Sequence, residues 1–169
     1  MYQIIVLIFI FCCNLNAQHY NTSAGLRFGT DMGIAVNQRL MKKSTLELLH
    51  QPGLFTPDAY TSLTYRRHLP ILSRRINLFG GMGAAAYFPS EKSTGDLFQT
   101  ITPAFAATAG GEIVIGRIQV AYDWSPHLMM GQEYQTGRWR SSNAISVKYV
   151  LLKPKSALKC SKEKLLKKK

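Results

Sequence analysis

The sequence predicts an all-β chain that folds as an eight-stranded antiparallel up-and-down barrel. Three observations support this fold class. Apolar and polar side chains alternate almost everywhere after residue 20, this alternation falls into eight segments, and the connections between segments are alternately short and long. Alternation with a period of two is typical of a strand whose two faces meet different surroundings. An even number of antiparallel strands also brings both ends of the sheet to the same side.

The alternation is clearest late in the chain, where Val120 and Tyr122 face one way and Ala121 and Asp123 the other. The segment ending at Leu152 repeats the pattern, and similar but shorter segments precede it. In chain order, the predicted strands span residues 23–30, 33–41, 45–50, 59–68, 76–88, 103–115, 117–126 and 143–152.

The two central segments, 76–88 and 103–115, are rich in Gly and Ala, so a helix competes with a strand there. Gly80, Gly81 and Gly83 decide between them, because each Gly would cost a helix about 1 kcal/mol relative to Ala. In a narrow barrel, Gly instead relieves crowding and permits strong curvature. Both segments are therefore predicted to be strands.

The connections form two sets. Residues 42–44, 69–75 and 116–117 are short or basic, whereas residues 51–58, 89–102 and 127–142 are longer and rich in Gly, Pro and polar residues, with 30–32 the short member of that set. Short periplasmic turns and longer external loops are typical of bacterial outer-membrane barrels. We therefore expect the first set, together with both ends of the barrel, on the periplasmic side.

The N-terminal apolar run, residues 4–13, indicates export. A spanning helix needs about 20 apolar residues, so this run is too short and fits the core of a signal peptide; the alternative is an N-terminal core strand. The predicted divisions are a signal peptide at 1–17, the barrel at 18–152 and a Lys-rich tail at 153–169. The three cysteines fall in the signal peptide and tail, so no disulfide framework is expected in the barrel.

The net charge of +12 is unevenly distributed, because the tail holds eight Lys and one Glu and accounts for +7. A Lys run of this kind is usually a solvated extension; a tail lying on anionic phospholipid is the alternative. No recognition helix, zinc knuckle or aromatic RNA-binding strand accompanies it, so we expect no nucleic-acid partner.

Two sets of side chains favour a transmembrane barrel over a soluble periplasmic barrel or sandwich. Aromatic residues near strand ends are expected to form girdles at the membrane interfaces; they are Tyr65, Tyr87, Phe88, Tyr122, Trp124 and Tyr149. Charged residues on the opposite face are expected to form a network that plugs a lumen only wide enough for side chains; they are Arg27, Arg39, Glu47, Arg66, Glu112, Asp123 and Lys148.

The chain resembles the small outer-membrane β-barrel proteins with OmpA-, OmpX- or OmpW-like eight-stranded folds. The resemblance rests on Gly-Leu-Arg-Phe-Gly at 25–29, Gly-Ile-Ala-Val-Asn-Gln-Arg-Leu at 33–40, the Gly/Ala-rich central hairpin and Asp-Trp-Ser-Pro at 123–126. It implies outer-membrane lipid and the barrel-assembly machinery as partners. One departure is that such barrels usually finish on an aromatic residue, whereas this chain continues 17 residues past Leu152.

No catalytic, cofactor-binding or metal-ligating residues are predicted. The histidines are scattered without ligand spacing, and no Gly-rich segment has the context of a phosphate loop. An alternative is a lipid-modifying enzyme with His50 or His127 at the external rim. The expected function is structural or surface interaction, with an extracellular ligand meeting an external loop that carries Tyr134, Arg138, Trp139 and Arg140, since Trp, Tyr and Arg are enriched at binding hot spots.

Overall fold

The computed structural model describes residues 20–73, 75–89, 101–130 and 138–152, which form eight antiparallel strands. They are β1 (Thr22–Phe28), β2 (Met32–Met41), β3 (Ser44–Gln51), β4 (Asp58–Ser73), β5 (Ile76–Pro89), β6 (Thr102–Ile115), β7 (Ile118–Met129) and β8 (Arg138–Leu152). Each strand pairs with the next and β8 pairs with β1, which closes the barrel. The predicted fold class is confirmed. The predicted signal peptide and Lys-rich tail lie outside the described residues.

The barrel has two different ends. Residues 42–43, 74–75 and 116–117 connect strands at one end, which we call the turn end; β1 begins and β8 finishes there, with Thr22 opposite Leu152. Residues 29–31, 52–57, 90–101 and 130–137 connect strands at the other end, the loop end. Gly116 has a φ of 64°, a conformation that suits glycine in a two-residue hairpin turn.

Side chains alternate between the lumen and the outer face along every strand. The outward side chains are largely apolar: Tyr122, Trp124, Ile145 and Val147 are each about half exposed, and comparable residues occur on all eight strands. The lumen holds mainly polar and small side chains, with Tyr20, Val114 and Val150 forming an apolar cluster near the turn end. Burial is therefore inverted relative to a soluble barrel, whose apolar face points inward.

Two strands continue through prolines where the sequence predicted an end or a turn. The prediction of a turn over 69–75 was wrong for residues 69–73, because β4 extends to Ser73. Pro70 costs this strand no ladder hydrogen bond. The backbone nitrogen atoms of His68 and of Pro70, two residues further on, point to the β3 side of β4, and the His68 amide already donates to Lys43 O in the β2–β3 turn (2.8 Å). Pro70 therefore lies beyond the start of β3, where no partner strand would accept an N–H. Pro126 lies where the β6–β7 pairing is interrupted, and it still pairs with Ser141 of β8.

Glycines at inward positions allow neighbouring strands to approach closely. A Cβ built on Gly83 would lie 2.0 Å from Leu63 O, and one on Gly25 would lie 2.1 Å from Val147 O. At outward Gly80, by contrast, the nearest atom would be 4.0 Å away. The glycines of the central hairpin therefore differ in role. Gly83 must be glycine because the backbone of the neighbouring strand leaves no room for a side chain, whereas Gly80 has room for one.

Candidate functional site

The middle of the lumen holds a cluster of one carboxylate and two cations, which we call the Glu47 cluster. Glu47 forms ion pairs with Arg66 and with Lys148, and all three side chains are at most 4% exposed. Arg66 Nη1 donates to Glu47 Oε2 (2.7 Å). In the orientation that suits both partners, the Asn37 amide donates to Glu47 Oε2 (2.7 Å) and accepts from Lys148 Nζ (3.2 Å). Each charge is thus met by an opposite charge, as a buried ion requires.

A second ion pair joins β1 to β7 across the lumen. Arg27 Nη2 contacts Asp123 Oδ1, and both side chains are 1% exposed. The same guanidinium nitrogen also lies 3.1 Å from Ser125 Oγ, and Ser125 Oγ donates to Asp123 Oδ1 (3.0 Å). The Ser125 hydroxyl group therefore donates its proton to a structural hydrogen bond with Asp123.

Near the turn end, a third group surrounds Glu112, which we call the Glu112 cluster. Glu112 accepts hydrogen bonds from Tyr20 Oη (3.1 Å), Asn77 Nδ2 (3.0 Å) and Gln119 Nε2 (2.7 Å). His68 Nδ1 lies 3.0 Å from Glu112 Oε1 but is not aligned for a hydrogen bond; its Nε2 is 2.8 Å from Thr45 Oγ1. Tyr20, which precedes β1, is fully buried here and fills this end of the lumen.

Six of the seven charged residues predicted for the lumen are buried there; they are Arg27, Glu47, Arg66, Glu112, Asp123 and Lys148. The seventh prediction, Arg39, was wrong in that this side chain joins none of the three groups. It is only partly buried, and its Nε donates to Met41 O (3.1 Å) at the turn end. Arg39 keeps the inward parity of Asn37, but it is the last residue of β2 before the register shift between Arg39 and Met41, so its long side chain reaches the turn end instead of the lumen.

At the loop end, two tyrosines hold a histidine between them. Tyr60 Oη is 2.8 Å from His127 Nε2, and Tyr87 Oη is 2.9 Å from His127 Nδ1. Tyr60 and Tyr87 are directly opposite each other on β4 and β5. The small side chains of Ala104 and Ala106, on the intervening strand β6, leave room for the rings. A neutral imidazole has one donor and one acceptor nitrogen, so both are satisfied.

This arrangement corrects one predicted interface aromatic. Tyr87 points into the lumen and is 6% exposed. It immediately precedes the outward Phe88 on β5, and adjacent residues of a strand face opposite sides. The other five predicted aromatics lie on the outer face and are between 38% and 56% exposed: Tyr65, Phe88, Tyr122, Trp124 and Tyr149. Two of them, Tyr122 and Trp124, lie midway along β7 rather than near a strand end, so the predicted interface position is wrong for them.

The tyrosines and His127 form the floor of an open cavity of about 240 Å³, the loop-end pocket. Arg140 and Asp58 lie at its rim and form an ion pair (3.0 Å). The Arg140 guanidinium also lies 5.6 Å from the centre of the Tyr87 ring, within the range of a cation–π contact. A cavity with aromatic walls, hydroxyl groups and paired charges can bind a small polar molecule.

Asp31 attaches the β3–β4 loop to this rim. Its carboxylate accepts hydrogen bonds from the backbone N–H groups of Met32 (2.8 Å), Leu54 (3.1 Å) and Phe55 (3.1 Å), and from Thr56 Oγ1 (3.3 Å). Desolvation by burial opposes ionisation of Asp31, but these backbone donors outweigh it and hold the pKa of Asp31 below its ordinary value.

The residues of the predicted recognition loop are only partly placed. Trp139 is 68% exposed on the outer face at the loop end, beside Arg140 at the pocket rim. Arg138 begins β8, and Tyr134 lies outside the described residues. The structure therefore brings Arg140 together with Tyr87 and His127, which alternation alone could not show.

The histidines of the alternative enzymatic hypothesis do not meet. His50 lies on the outer face, where its Nδ1 is 2.9 Å from Thr61 Oγ1, whereas His127 lies inside. Ser125 and His127 both point inward, yet each is bonded to other partners. In the part of the chain that the structure describes, no group of three or more His, Cys, Asp or Glu residues is arranged to hold a metal ion. No helix in that part is long and apolar enough to span a membrane.

Three features of the site were missed by sequence reasoning. Tyr60 and Arg66 are six residues apart on β4 and therefore face the same side, so the inward direction of Tyr60 could have been predicted from that of Arg66. The meeting of Tyr60, Tyr87 and His127 depends on strand register across β4 to β7, which no local pattern specifies. The roles of Asp31 and Tyr20 depend on loop conformation outside the strands.

Comparison with known proteins bears on the fold. The structure is similar to the crystal structure of the N-terminal β-barrel domain of Pseudomonas aeruginosa OprF, with a TM-score of 0.54 and 13% sequence identity over 78% of this chain and 100% of that chain. The two share a fold. The predicted resemblance to small outer-membrane β-barrels is thus confirmed at the level of the fold. No family model and no curated protein matches the sequence.

Proposed function

We propose that this chain is an integral outer-membrane β-barrel with a structural or surface-interaction role and a lumen closed by charged side chains. The observation that supports this most strongly is the apolar outer face, which extends around the whole barrel. Outward residues such as Leu26, Leu48, Met82 and Val120 are 37–61% exposed in the isolated chain.

An outer face of this kind is costly in water. Large exposed apolar patches mark interaction surfaces or membrane contact, and here the apolar residues recur on every strand rather than on one side. Lipid acyl chains can cover an apolar face around the whole barrel. A closed barrel also leaves no strand edge unpaired in the hydrocarbon. The similarity to the OprF barrel domain supports placement in the outer membrane.

The three polar groups of the lumen support a plugged interior. The Glu47 cluster, the Arg27–Asp123 pair and the Glu112 cluster succeed one another inside a barrel of eight strands, which has little space beyond its own side chains. Tyr20 adds a ring at the turn end. We therefore expect the protein to conduct ions poorly and to act through its surfaces.

We propose three partners for the barrel. The barrel-assembly machinery inserts the chain, outer-membrane lipid surrounds the apolar face, and an extracellular ligand contacts the loop end, where Trp139 is exposed and Arg140 borders the loop-end pocket. A lipid-modifying role is less well supported, because His50 and His127 lie on opposite faces of the sheet and Ser125 is bonded to Asp123. A soluble binding module is disfavoured by the apolar outer face.

The test is to fractionate cells that express the full chain and to compare unboiled and boiled samples on a denaturing gel. A closed barrel keeps its backbone hydrogen bonds internal, so the protein should stay in the membrane fraction and change mobility only on boiling. Recovery in a soluble fraction with one mobility would refute the proposal. For the enzymatic alternative, a changed lipid A mass that depends on the protein and is lost on His127→Ala would be decisive.

A further inference from the structure

All three turns at the turn end contain basic residues. Lys42 and Lys43 connect β2 to β3, Arg75 precedes β5, and Arg117 connects β6 to β7. The acidic residues of the described ranges lie in the lumen or at the loop end instead. The turn end is therefore strongly basic.

One further cation lies on the outer face beside these turns. Arg67 is exposed and pairs with Ser44, the first residue of β3. The adjacent His68 amide donates to Lys43 O (2.8 Å), so Arg67 and the β2–β3 turn are neighbours. We call Lys42, Lys43 and Arg67 the basic corner. Outward apolar residues follow the same strand on both sides of Arg67, with Tyr65 42% and Leu69 49% exposed.

The sheet beside the basic corner is smooth. Gly80 pairs with Arg67 on β5, and Ala109 pairs with Gly80 on β6; both are exposed on the outer face. A Cβ on Gly80 would meet no atom nearer than 4.0 Å. An acyl chain can therefore lie against the sheet next to Arg67 without displacing a side chain.

A second contact point lies at the β6–β7 turn. Arg117 Nη1 donates to Tyr149 Oη (3.1 Å), and its guanidinium lies 5.9 Å from the centre of the Tyr149 ring. Tyr149 is 48% exposed on the outer face. A guanidinium has five N–H donors, so Arg117 is held beside an interface aromatic with donors left to bind a phosphate.

We propose that the turn end binds anionic glycerophospholipid, with the basic corner holding the phosphate group of one lipid and Arg117 that of a second lipid on the far side of the barrel. This inference rests on the proposed function, because it needs a leaflet to face the turn end. A phospholipid matches both features of the site: its phosphate meets the cations, and its acyl chains meet the smooth apolar surface beside Arg67. A free phosphate would contact only the cations and would leave the apolar surface beside Arg67 uncovered.

The experiment uses the full chain folded in neutral detergent micelles, where heat modifiability is checked first. The protein is titrated with short-chain phosphatidylglycerol, with phosphatidylcholine of the same chain length, and with glycerol phosphate, and bound molecules are counted by native mass spectrometry. The neutralised variant is Lys42→Gln, Lys43→Gln, Arg67→Gln, Arg117→Gln. The matched control, Lys42→Arg, Lys43→Arg, Arg67→Lys, Arg117→Lys, keeps every charge.

We expect phosphatidylglycerol to bind at least about tenfold more tightly than phosphatidylcholine, because each cation near an anionic headgroup contributes about fivefold. The neutralised variant should lose this preference and the control should keep it. High salt should weaken the preference in the unmodified chain, a measurement that does not depend on any variant folding.

Three outcomes would overturn the inference alone. They are a heat-modifiable barrel without a preference for phosphatidylglycerol, a preference that survives in the neutralised variant and so comes from charge elsewhere, and equal binding of glycerol phosphate, which would indicate a soluble ligand. A chain that does not form a heat-modifiable barrel in any micelle would overturn the proposed function and this inference together.

Discussion

Replacing Glu47 by Gln should be among the most destabilising single changes in the lumen. Glu47 is the one carboxylate in contact with both Arg66 and Lys148, and the three side chains are at most 4% exposed. The variant would leave two cations facing each other without an anion. Breaking a buried pair in this way costs about 3–5 kcal/mol.

Lys148→Met provides the matched comparison. It removes one cation of nearly the same size and leaves Glu47 paired with Arg66 (2.7 Å) and hydrogen-bonded to Asn37. The remaining pair is neutral overall, so we expect a loss of about 1–2 kcal/mol. The double variant leaves one lone cation, and its cost should fall below the sum of the single costs by at least about 1 kcal/mol.

The assay is urea unfolding of the barrel refolded into lipid vesicles, followed by the fluorescence of the two tryptophans. Heat modifiability before unfolding shows that each variant has formed the barrel. If Glu47→Gln cost less than Lys148→Met, or if the two changes were additive, the two cations would not depend on Glu47 for their burial.

Other predictions concern the outer face, the sheet and the loops. Leu48→Arg, at an outward site in the middle of β3 that is 49% exposed, should cost about 2–4 kcal/mol in vesicles; a negligible cost would indicate that this face meets water. Gly83→Ala should destabilise the barrel by about 1–3 kcal/mol in urea unfolding, because its Cβ would meet Leu63 O, whereas Gly80→Ala should change the unfolding free energy by less than about 0.5 kcal/mol. Because backbone donors lower the pKa of Asp31, its stabilisation of the β3–β4 loop should be complete above about pH 4 and lost as the pH falls through that lowered pKa. Asp31→Asn should accelerate amide exchange in residues 54–55 at least about fivefold at neutral pH, and unchanged exchange would contradict the role of the carboxylate.

The sequence was sufficient for the number of strands and for most inward and outward assignments, because alternation is a local property of the strand. It failed at strand ends. The predicted strands ended at residue 68, before Pro70, and at Pro126, whereas both real strands continue; the cost of a proline depends on whether its edge faces a partner, and that depends on where β3 starts and how β6 pairs with β7. Arg39 failed for a related reason, since a register shift follows it.

The candidate site was less predictable than the fold. The direction of Tyr87 could have been read correctly from its neighbour Phe88, since both cannot face lipid. The contact of Tyr60 and Tyr87 with His127, however, joins residues from three strands and depends on the small side chains of β6 between them. Such contacts are set by register and closure of the whole barrel, which no local segment encodes.

The membrane barrel is tested most directly by measuring whether its outer face meets lipid. Trp124 lies midway along β7 and is 50% exposed on that face, and Trp139→Phe would leave it as the sole tryptophan. In vesicles of phospholipid brominated deep in the acyl chains, Trp124 fluorescence should be strongly quenched, and Trp139 in the reciprocal Trp124→Phe variant should be quenched less because it lies at the loop end. A folded protein whose Trp124 is unaffected by brominated lipid but quenched by aqueous iodide would contradict the membrane barrel.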